Sequence, residues 1–241
     1  MGRRQALRRI CQRSDSECIV VRFAAAEHGT ALVTRDWKVL HLDEHLIVLD
    51  KPSGMLSVPG RGDDKYDSLA VQVAADFPGA RNVHRLDRDT SGVIVMARDA
   101  ETHRQLSRQF EQRETDKRYV AIVAGTILAE SGRIELPLRK DFDHPPRHMV
   151  DQELGKPAVT DWEVEARYED STRLSLIPQT GRSHQLRVHL QAIGHPILGD
   201  PLYAPEELQT AANRLMLHAI ELEITHPTSG QRMRFVAAAP F

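Results

Sequence analysis

Two short apolar runs, at residues 46–49 and 93–97, are bounded by polar and turn-forming residues and predict strands buried on both faces. Alternation of apolar and polar positions predicts further strands at 118–124, 158–168 and 173–177. The last two are joined by a Glu-Asp-Ser hairpin turn. The chain therefore contains a sheet with at least one interior strand.

Helical spacing is less frequent along the chain. Leu69, Val73 and Phe77 fall on one face of a predicted helix, which Asp67 or Ser68 caps and Pro-Gly at 78–79 ends. A second helix follows Asp99, with an apolar stripe through its later turns, and a third follows residue 183. A weak helix is predicted at 205–213 and two closing strands at 215–224 and 231–236, whereas the polar stretch 139–155 is predicted to be a long loop.

These elements indicate an α+β fold with a mixed, largely antiparallel sheet. Strands outnumber helices and follow one another as hairpins, without the regular strand and helix alternation of a doubly wound fold. We expect an N-terminal arm at residues 1–37, with an arginine-rich tip, and one large domain at residues 38–241.

The most unusual polar segment is His-Arg-Leu-Asp-Arg-Asp-Thr-Ser-Gly at residues 84–92, directly before a predicted buried strand. Charged groups held against apolar surroundings need partners, and loops of this kind often carry function. The alternative is a solvated surface loop in which the side chains of Asp89, Thr90 and Ser91 only form a turn. Local pattern alone leaves both interpretations open.

Composition narrows the classes of protein. The net charge is −2, so a polyanionic partner would have to be held by a local basic patch. Cys11 and Cys18 lack metal-site or disulfide-scaffold spacing, and the twelve histidines include no metal-binding motif, so neither a metal nor a cofactor is expected. No apolar run is long enough to span a membrane, and the N-terminus lacks a secretory signal; we expect a cytoplasmic protein.

The segment at 84–92 resembles the signature loop of the RluA-type pseudouridine synthases. Further stretches agree in order: Asp-Lys-Pro-Ser-Gly at 50–54, Lys-Arg-Tyr-Val-Ala at 117–121, and Thr-Gly-Arg-Ser-His-Gln-Leu-Arg-Val-His at 180–189. Gly-His-Pro-Ile-Leu-Gly-Asp at 194–200 and Leu-His-Ala at 217–219 complete the set. Several ordered motifs are much more specific than one short pattern.

The resemblance implies the pseudouridine synthase fold, a mixed sheet around a catalytic cleft, and an enzyme that isomerises uridine in RNA. It implies that Asp87 is the catalytic carboxylate. Arg182 is predicted to pair with Asp87 and keep it ionised, and Tyr119 is predicted to stack on the base and assist transfer of the C5 proton. From the residues alone, a half-buried core tyrosine is the commoner explanation of Tyr119.

Four residues are predicted to bind RNA: His84, Arg85 and Arg88 in the segment at 84–92, and Lys51 in the motif at 50–54. Arg85 and His84 would fill the stack left by a flipped base and hold flanking phosphates. For Lys51 the alternative is that it braces the catalytic loop. Aromatic residues make up only 5% of the chain, which disfavours a broad base-stacking platform.

Two other functions remain as alternatives, a non-catalytic RNA-binding module on the same fold and an unrelated hydrolase with an aspartate nucleophile. The first is disfavoured because Asp87, Tyr119 and Arg182 are all present, and the second because no phosphate-binding loop or metal-ligand set accompanies Asp87. The stretches Ser-Gly-Met-Leu-Ser-Val-Pro-Gly-Arg at 53–61 and Gly-Lys-Pro-Ala at 155–158 resemble the RluA subgroup most, and that subgroup modifies 23S ribosomal RNA and tRNA. We therefore expect a monomer without an S4-like domain that recognises RNA stem-loops.

Overall fold

The computed structural model describes residues 35–60 and 67–241, and all of these belong to one compact unit, Arg35–Phe241. Most of the predicted arm at 1–37 lies outside the described residues, and its role stays a prediction. Trp37 is buried, and its indole Nε1 donates a hydrogen bond to Gln72 Oε1 at 3.0 Å. The start of the described chain is thus packed against the first helix.

The main sheet has ten strands: β1 Lys38–Leu42, β2 Leu46–Lys51, β3 Arg81–Asn82, β4 Ser91–Ala97, β5 Asp116–Ala124, β6 Ser131–Glu135, β9 Val159–Arg167, β10 Ser171–Pro178, β11 Leu217–Thr225 and β12 Arg232–Val236. Its strand order is β1-β2-β4-β11-β5-β10-β9-β6, with β3 paired to β4 and β12 paired to β11. Among the described strands only β4 and β11 pair in parallel. The predicted α+β class with a mixed, mostly antiparallel sheet is confirmed.

Within residues 35–60 and 67–241, four helices accompany the sheet: α1 Leu69–Asp76, α2 Ala100–Gln112, α3 Gln185–Ala192 and α4 Glu206–Gln209. The side chains of Ser68 and Asp99 cap α1 and α2, accepting from the backbone N–H groups of Val71 and Thr102 at 3.4 Å and 2.8 Å. These are the caps expected from the sequence. In the described part of the chain, no helix has the length and apolar character needed to cross a bilayer.

Strand β4 lies in the interior, and every one of its residues is buried. Its side chains alternate between two apolar clusters. Ile94 and Met96 pack in the cluster that contains Leu69 and Val73 of α1, whereas Val93 and Val95 pack in the cluster that contains Leu106 of α2. A strand covered on both faces explains the unbroken apolar run in the sequence.

A third cluster forms around β5 and β10 and receives Leu186 and Leu190 from α3. Ala121 and Val123 of β5 belong to it, and Tyr119 on the same face packs against both this cluster and the one beneath α1. The predicted alternation along β5 is confirmed. Tyr119 therefore lies at the junction of these two clusters, the one around β5 and β10 and the one beneath α1, which form the two parts of the core on either side of it.

The Thr-Ser-Gly segment at the start of β4 is shaped by a close approach to β11. Gly92 has φ of +114°, and a Cβ there would lie 2.2 Å from the carbonyl oxygen of Ala219. A larger residue would force apart the parallel pair β4 and β11. Glycine at this position thus fixes the point at which the charged loop joins β4.

The prediction of a long loop at 139–155 is wrong in part. This stretch contains most of a small antiparallel hairpin, β7 Leu138–Lys140 paired with β8 His148–Val150. Its strands are only three residues long, too short for hydrophobic alternation to appear in the sequence. The backbone N–H of His148 donates to Tyr203 Oη at 2.7 Å, which ties the hairpin to the region beside α3.

Candidate active site

Asp87 lies in the loop between β3 and β4, and the backbone beside it is fixed by a buried serine. Ser57 Oγ donates to the carbonyl oxygen of Leu86 at 2.7 Å and accepts from the Leu86 N–H at 3.1 Å. Leu86 itself is buried in the core. The Asp87 side chain is 24% exposed. A rigid backbone thus presents a partly exposed carboxylate.

Lys51 is fully buried beneath the same loop. Its Nζ donates hydrogen bonds to the carbonyl oxygens of Pro52, Met55 and Arg88 at 2.9, 2.8 and 3.0 Å. Burial lowers the pKa of Lys51 to about 7, while the negative charges of Asp89 and Asp87 oppose that shift. Three acceptors match the three protons of an ammonium group. The expected contact of Lys51 with RNA is corrected, because its donors are used inside the protein; the alternative of a brace fits these contacts.

We expect Lys51→Met to lower the free energy of unfolding by about 3 kcal/mol, because it leaves three buried carbonyl oxygens without their donor. Denaturant unfolding followed by circular dichroism measures this change. Lys38→Met is the matched control: Lys38 is exposed on β1, and its replacement is expected to change stability by no more than about 0.5 kcal/mol. A loss below about 1 kcal/mol for Lys51→Met would show that the brace is dispensable.

Asp87 opens onto a cavity of about 490 Å³ between the two parts of the core. Its walls come from the 84–90 loop, the end of α2, β5, and the turn that leads into α3. Residues predicted from the sequence and others not predicted line it together: His84, Arg85, Asp87, Tyr119, Arg182, His184 and Arg187. A concave site of this size with converging polar groups suits a small ligand or a single nucleotide.

The cation beside Asp87 is Arg187, which corrects the expected pairing with Arg182. Arg187 Nη1 lies 3.8 Å from Asp87 Oδ2, while Nε and Nη2 bond both carboxylate oxygens of Asp200 at 2.8 and 2.6 Å. Arg187 is 2% exposed and Asp200 is fully buried. Burial disfavours the charged guanidinium, but the bonds to Asp200 outweigh this and raise the pKa of Arg187. A permanent positive charge is therefore held next to Asp87.

Arg182 lies on the wall of the same cavity but is directed elsewhere. Its Nε donates to the carbonyl oxygen of Pro157 at 3.1 Å, and its backbone N–H donates to Gln185 Oε1 at 3.0 Å. Within the described residues, no ion pair joins Arg182 to Asp87. Arg182 therefore fixes the turn before α3 and leaves its remaining guanidinium donors at the cavity edge.

The sequence does contain a pattern that indicates a buried, paired role for Arg187. Arg187 falls in Leu-Arg-Val-His-Leu at 186–190, where apolar residues surround it on a helix that is buried against the sheet. A buried arginine requires an acidic partner. Asp200 in the Gly-Asp pair at 199–200 is that partner. Gly199 adopts φ of +71°, and a Cβ there would lie 1.9 Å from the carbonyl oxygen of Arg214, so the turn before Asp200 requires glycine.

Tyr119 occupies the cavity wall opposite the loop and is half-buried. Burial raises the pKa of its phenol above the usual range, and the negative charge of Asp87 adds to this effect. The phenol is thus protonated at neutral pH. The same ring packs on the core and lines the cavity, and its contact with a base stays a prediction.

The other predicted RNA contacts are a half-buried histidine and two exposed arginines. The ring of His84 stacks on Phe110, with centroids 4.4 Å apart, and its Nε2 accepts from the Val95 N–H at 3.1 Å. Burial lowers the pKa of His84 to about 3, and Lys117 contributes to the shift, so the ring is neutral. The expectation that His84 holds phosphates is therefore corrected. Arg85 and Arg88 remain exposed at the surface of the loop.

Two further observations complete the geometry. His184, which the sequence did not single out, places Nε2 3.9 Å from Asp87 Oδ1. In residues 35–60 and 67–241, no three histidine, cysteine, aspartate or glutamate side chains converge in an arrangement that could hold a metal ion. The groups at the cavity suit proton transfer and nucleophilic chemistry by a carboxylate.

Comparisons with known proteins agree with this site. The family model described as RNA pseudouridylate synthase matches residues 45–192. The proteins named dual-specificity RNA pseudouridine synthase RluA from Yersinia pestis and Escherichia coli K12 are 51% and 50% identical to this chain over 204 residues. That alignment covers 84% of this chain and 99% and 93% of those proteins.

Solved structures show the same fold. Human RNA pseudouridylate synthase domain containing 1 matches with a TM-score of 0.73 at 27% identity, over 86% of this chain and 84% of that one. Human RNA pseudouridylate synthase domain containing 4 matches with a TM-score of 0.66 at 26% identity, over 84% and 88%. Together with the match of the family model over more than half of the sequence, these likenesses establish that the chain belongs to the RNA pseudouridylate synthase family, whose enzymes isomerise uridine to pseudouridine.

Proposed function

We propose that this enzyme isomerises loop uridines in short RNA stem-loops, and that one active site serves both 23S ribosomal RNA and tRNA. The observation that carries the chemistry is the placement of Asp87 at the cavity, with Arg187 at one carboxylate oxygen and His184 at the other. The dual-specificity relatives support the choice of RNA, as does the subgroup resemblance in the segment at 53–61.

The reaction breaks the bond from N1 of the base to C1′ of the ribose, turns the base, and joins C5 to C1′. The proton on C5 is lost and N1 gains one, so atoms and charge balance without a redox partner. Asp87 is the proposed carboxylate, either adding to the sugar or removing a ribose proton. Both routes require an ionised Asp87 within reach of the ribose.

Arg187 and Tyr119 have complementary roles in this proposal. Arg187, anchored by Asp200, places a positive charge 3.8 Å from one oxygen of Asp87 and attracts the carboxylate from that side. Tyr119 provides a flat surface for the uracil ring, and its protonated hydroxyl assists in moving the C5 proton. Arg182 acts at the cavity edge, where a ribose or phosphate oxygen can accept from it.

The target base must leave its stack to reach Asp87. Flipping a nucleotide costs a few kcal/mol, and less in a loop whose bases are already unstacked. Arg85 is exposed at the cavity rim, with Nη2 3.4 Å from Ser183 Oγ, and it is the proposed residue that fills the vacated space. Arg88 is exposed on the same loop and contacts a flanking phosphate.

The proposed recognition is local. A net charge of −2 does not support binding to a large RNA surface, so shape and a few cations near the cavity select the loop. We further propose that the enzyme acts as a monomer, because one protomer supplies all the cavity residues named above. We also propose that it acts in the cytoplasm.

An isolated anticodon stem-loop of about 17 nucleotides is expected to be modified with a kcat/KM within about tenfold of that of the intact tRNA, because recognition is confined to the loop. The measurement is release of tritium from RNA made with 5-³H-uridine. A ribosomal RNA hairpin with the same loop sequence should compete as a substrate for the same site.

Two control RNAs sharpen this test. A stem-loop with the target uridine replaced by cytidine should release no tritium from that position, and a fully paired duplex should react much more slowly than the loop. If only intact tRNA or assembled ribosomal particles react, recognition extends beyond the loop and the proposed substrate class is wrong, although the isomerase chemistry is retained.

A further inference from the structure

His184 joins Asp87 to a buried tyrosine. Its Nε2 lies 3.9 Å from Asp87 Oδ1, and its Nδ1 lies 2.7 Å from Tyr203 Oη. The His184 side chain is 13% exposed and lines the cavity beside Arg187. The imidazole thus bridges the candidate catalytic carboxylate and a group that lies outside the cavity wall.

The hydrogen bonds determine which nitrogen of His184 carries the proton. Tyr203 Oη accepts from the backbone N–H of His148 at 2.7 Å, which leaves its own proton to be donated. Burial raises the pKa of Tyr203 to about 12, so the phenol is protonated at neutral pH and donates to His184 Nδ1. Burial also lowers the pKa of His184. The ring is therefore neutral, with its one N–H on Nε2, facing Asp87.

The charged and titratable groups around His184 have opposite effects on its protonation. Asp87 and Asp200 favour the protonated form, whereas Arg187 and His148 disfavour it together with burial. The rings of His148 and Tyr203 both pack edge-on against His184, with centroids 5.1 and 5.6 Å away. The ring is thus held from two sides.

The backbone of His184 is strained for a residue other than glycine. Its φ is +56° and ψ is 16°, in the left-handed region, and it immediately precedes α3. Its side chain makes no capping bond to the helix, so His184 gives α3 none of the stabilisation that a serine or aspartate would give. A left-handed conformation costs about 1 kcal/mol or more and is kept where the surrounding structure requires it. Here it directs the ring towards Asp87.

We propose that His184 is a positioning residue for Asp87, a neutral donor that orients one carboxylate oxygen while Arg187 orients the other; this rests on the proposed function. At 3.9 and 3.8 Å neither contact is a hydrogen bond in the free enzyme. Both shorten when the uridine closes the cavity, since catalytic contacts often tighten only with substrate bound. His184 exchanges no proton in the reaction. Tyr203 acts through His184 by fixing the tautomer.

The test compares His184→Leu with His184→Gln. Both side chains are unbranched at Cβ and carry the same strain at a positive φ, but only glutamine offers an N–H near the position of Nε2. We expect His184→Leu to lower kcat about a hundredfold and His184→Gln no more than about tenfold, with KM within about threefold of wild type for both. Tritium release from a 5-³H-uridine stem-loop gives these values.

Tyr203→Phe tests the second half of the bridge. The change removes Oη but keeps the ring that lies 5.0 Å from the Arg187 guanidinium carbon. We expect kcat to fall about tenfold in the wild-type background and to show no further loss when combined with His184→Leu. The His148 N–H loses its acceptor in both backgrounds, so only action through His184 makes the two effects non-additive.

Three outcomes overturn the positioning role: equal kcat for the leucine and glutamine variants, a loss confined to KM, or additive effects of the Tyr203 and His184 changes. Thermal unfolding identifies a variant that fails to fold. If His184→Leu is lost in this way, an unchanged kcat for Tyr203→Phe and His184→Gln overturns the proposal by itself. Absence of pseudouridine formation by the wild-type enzyme would instead refute the proposed function, whatever the His184 variants do.

Discussion

Asp87→Asn is expected to reduce pseudouridine formation at least a thousandfold while the protein remains folded. Asparagine keeps the size of the side chain but cannot attack the sugar or accept a ribose proton as a carboxylate does. The loop backbone does not depend on the changed atoms, because Ser57 fixes it through the backbone of Leu86. Single-turnover tritium release from a stem-loop substrate measures the rate, and circular dichroism checks folding.

Asp89→Asn is the matched control on the same loop. Its carboxylate lies 3.9 Å from Arg88 and does not line the cavity, while its backbone carbonyl accepts from Ser53 Oγ. Activity within about tenfold of wild type is expected. Retention of more than about a hundredth of wild-type activity by Asp87→Asn, or an equal loss for Asp89→Asn, would remove Asp87 from its proposed role.

Arg187→Lys is expected to lower kcat at least a hundredfold, whereas Arg182→Lys leaves it within about tenfold of wild type. The planar guanidinium of Arg187 donates two hydrogen bonds to Asp200 and also places Nη1 3.8 Å from Asp87 Oδ2. The single ammonium of lysine cannot do both, and arginine to lysine is not a conservative change at a bidentate site. The motif alone led to the opposite order of effects, so the experiment separates motif matching from geometry.

Stability has to be measured in the same pair of variants. Because Arg187 and Asp200 are buried, Arg187→Lys is also expected to reduce the free energy of unfolding, by about 3 kcal/mol. Rates are therefore compared at a temperature at which both variants are folded. Equal losses of kcat for the lysine variants at residues 182 and 187, or a larger loss at 182, would show that Asp87 does not depend on the Arg187 charge.

The cavity residues come from segments far apart in sequence, and the two parts of the core hold them together. The 84–90 loop is braced by the 51–57 segment, through Lys51, Ser53 and Ser57. The α3 turn is braced by Asp200 and Tyr203, through Arg187 and His184. Tyr119 packs against both parts of the core. The motifs around Asp87 thus contribute mainly to the position of this candidate catalytic carboxylate.

The sequence by itself determined most of the elements and indicated the candidate catalytic residue. The apolar run of β4, the alternation along β5, and the caps of α1 and α2 are local patterns, and they predicted these elements to within a few residues. Asp87 could be proposed as the catalytic carboxylate for a similar reason, because the neighbours that mark it are consecutive in the chain. Where a short hairpin lies within 139–155, too few residues carry a pattern for the sequence to reveal it.

Only the tertiary structure decided which side chains meet. Arg182 and Arg187 both lie in the motif, but Arg182, in the turn before α3, is directed towards Pro157, whereas Arg187, within α3, is directed towards Asp87 and Asp200. Lys51 and the loop residue His84 are both polar residues of the motifs, yet both are directed inwards, where backbone groups bind them. Partner choice depends on burial, since a desolvated charge or ring nitrogen must bond with whatever the fold places within reach. That information is set by the packing of distant segments and is absent from any local stretch.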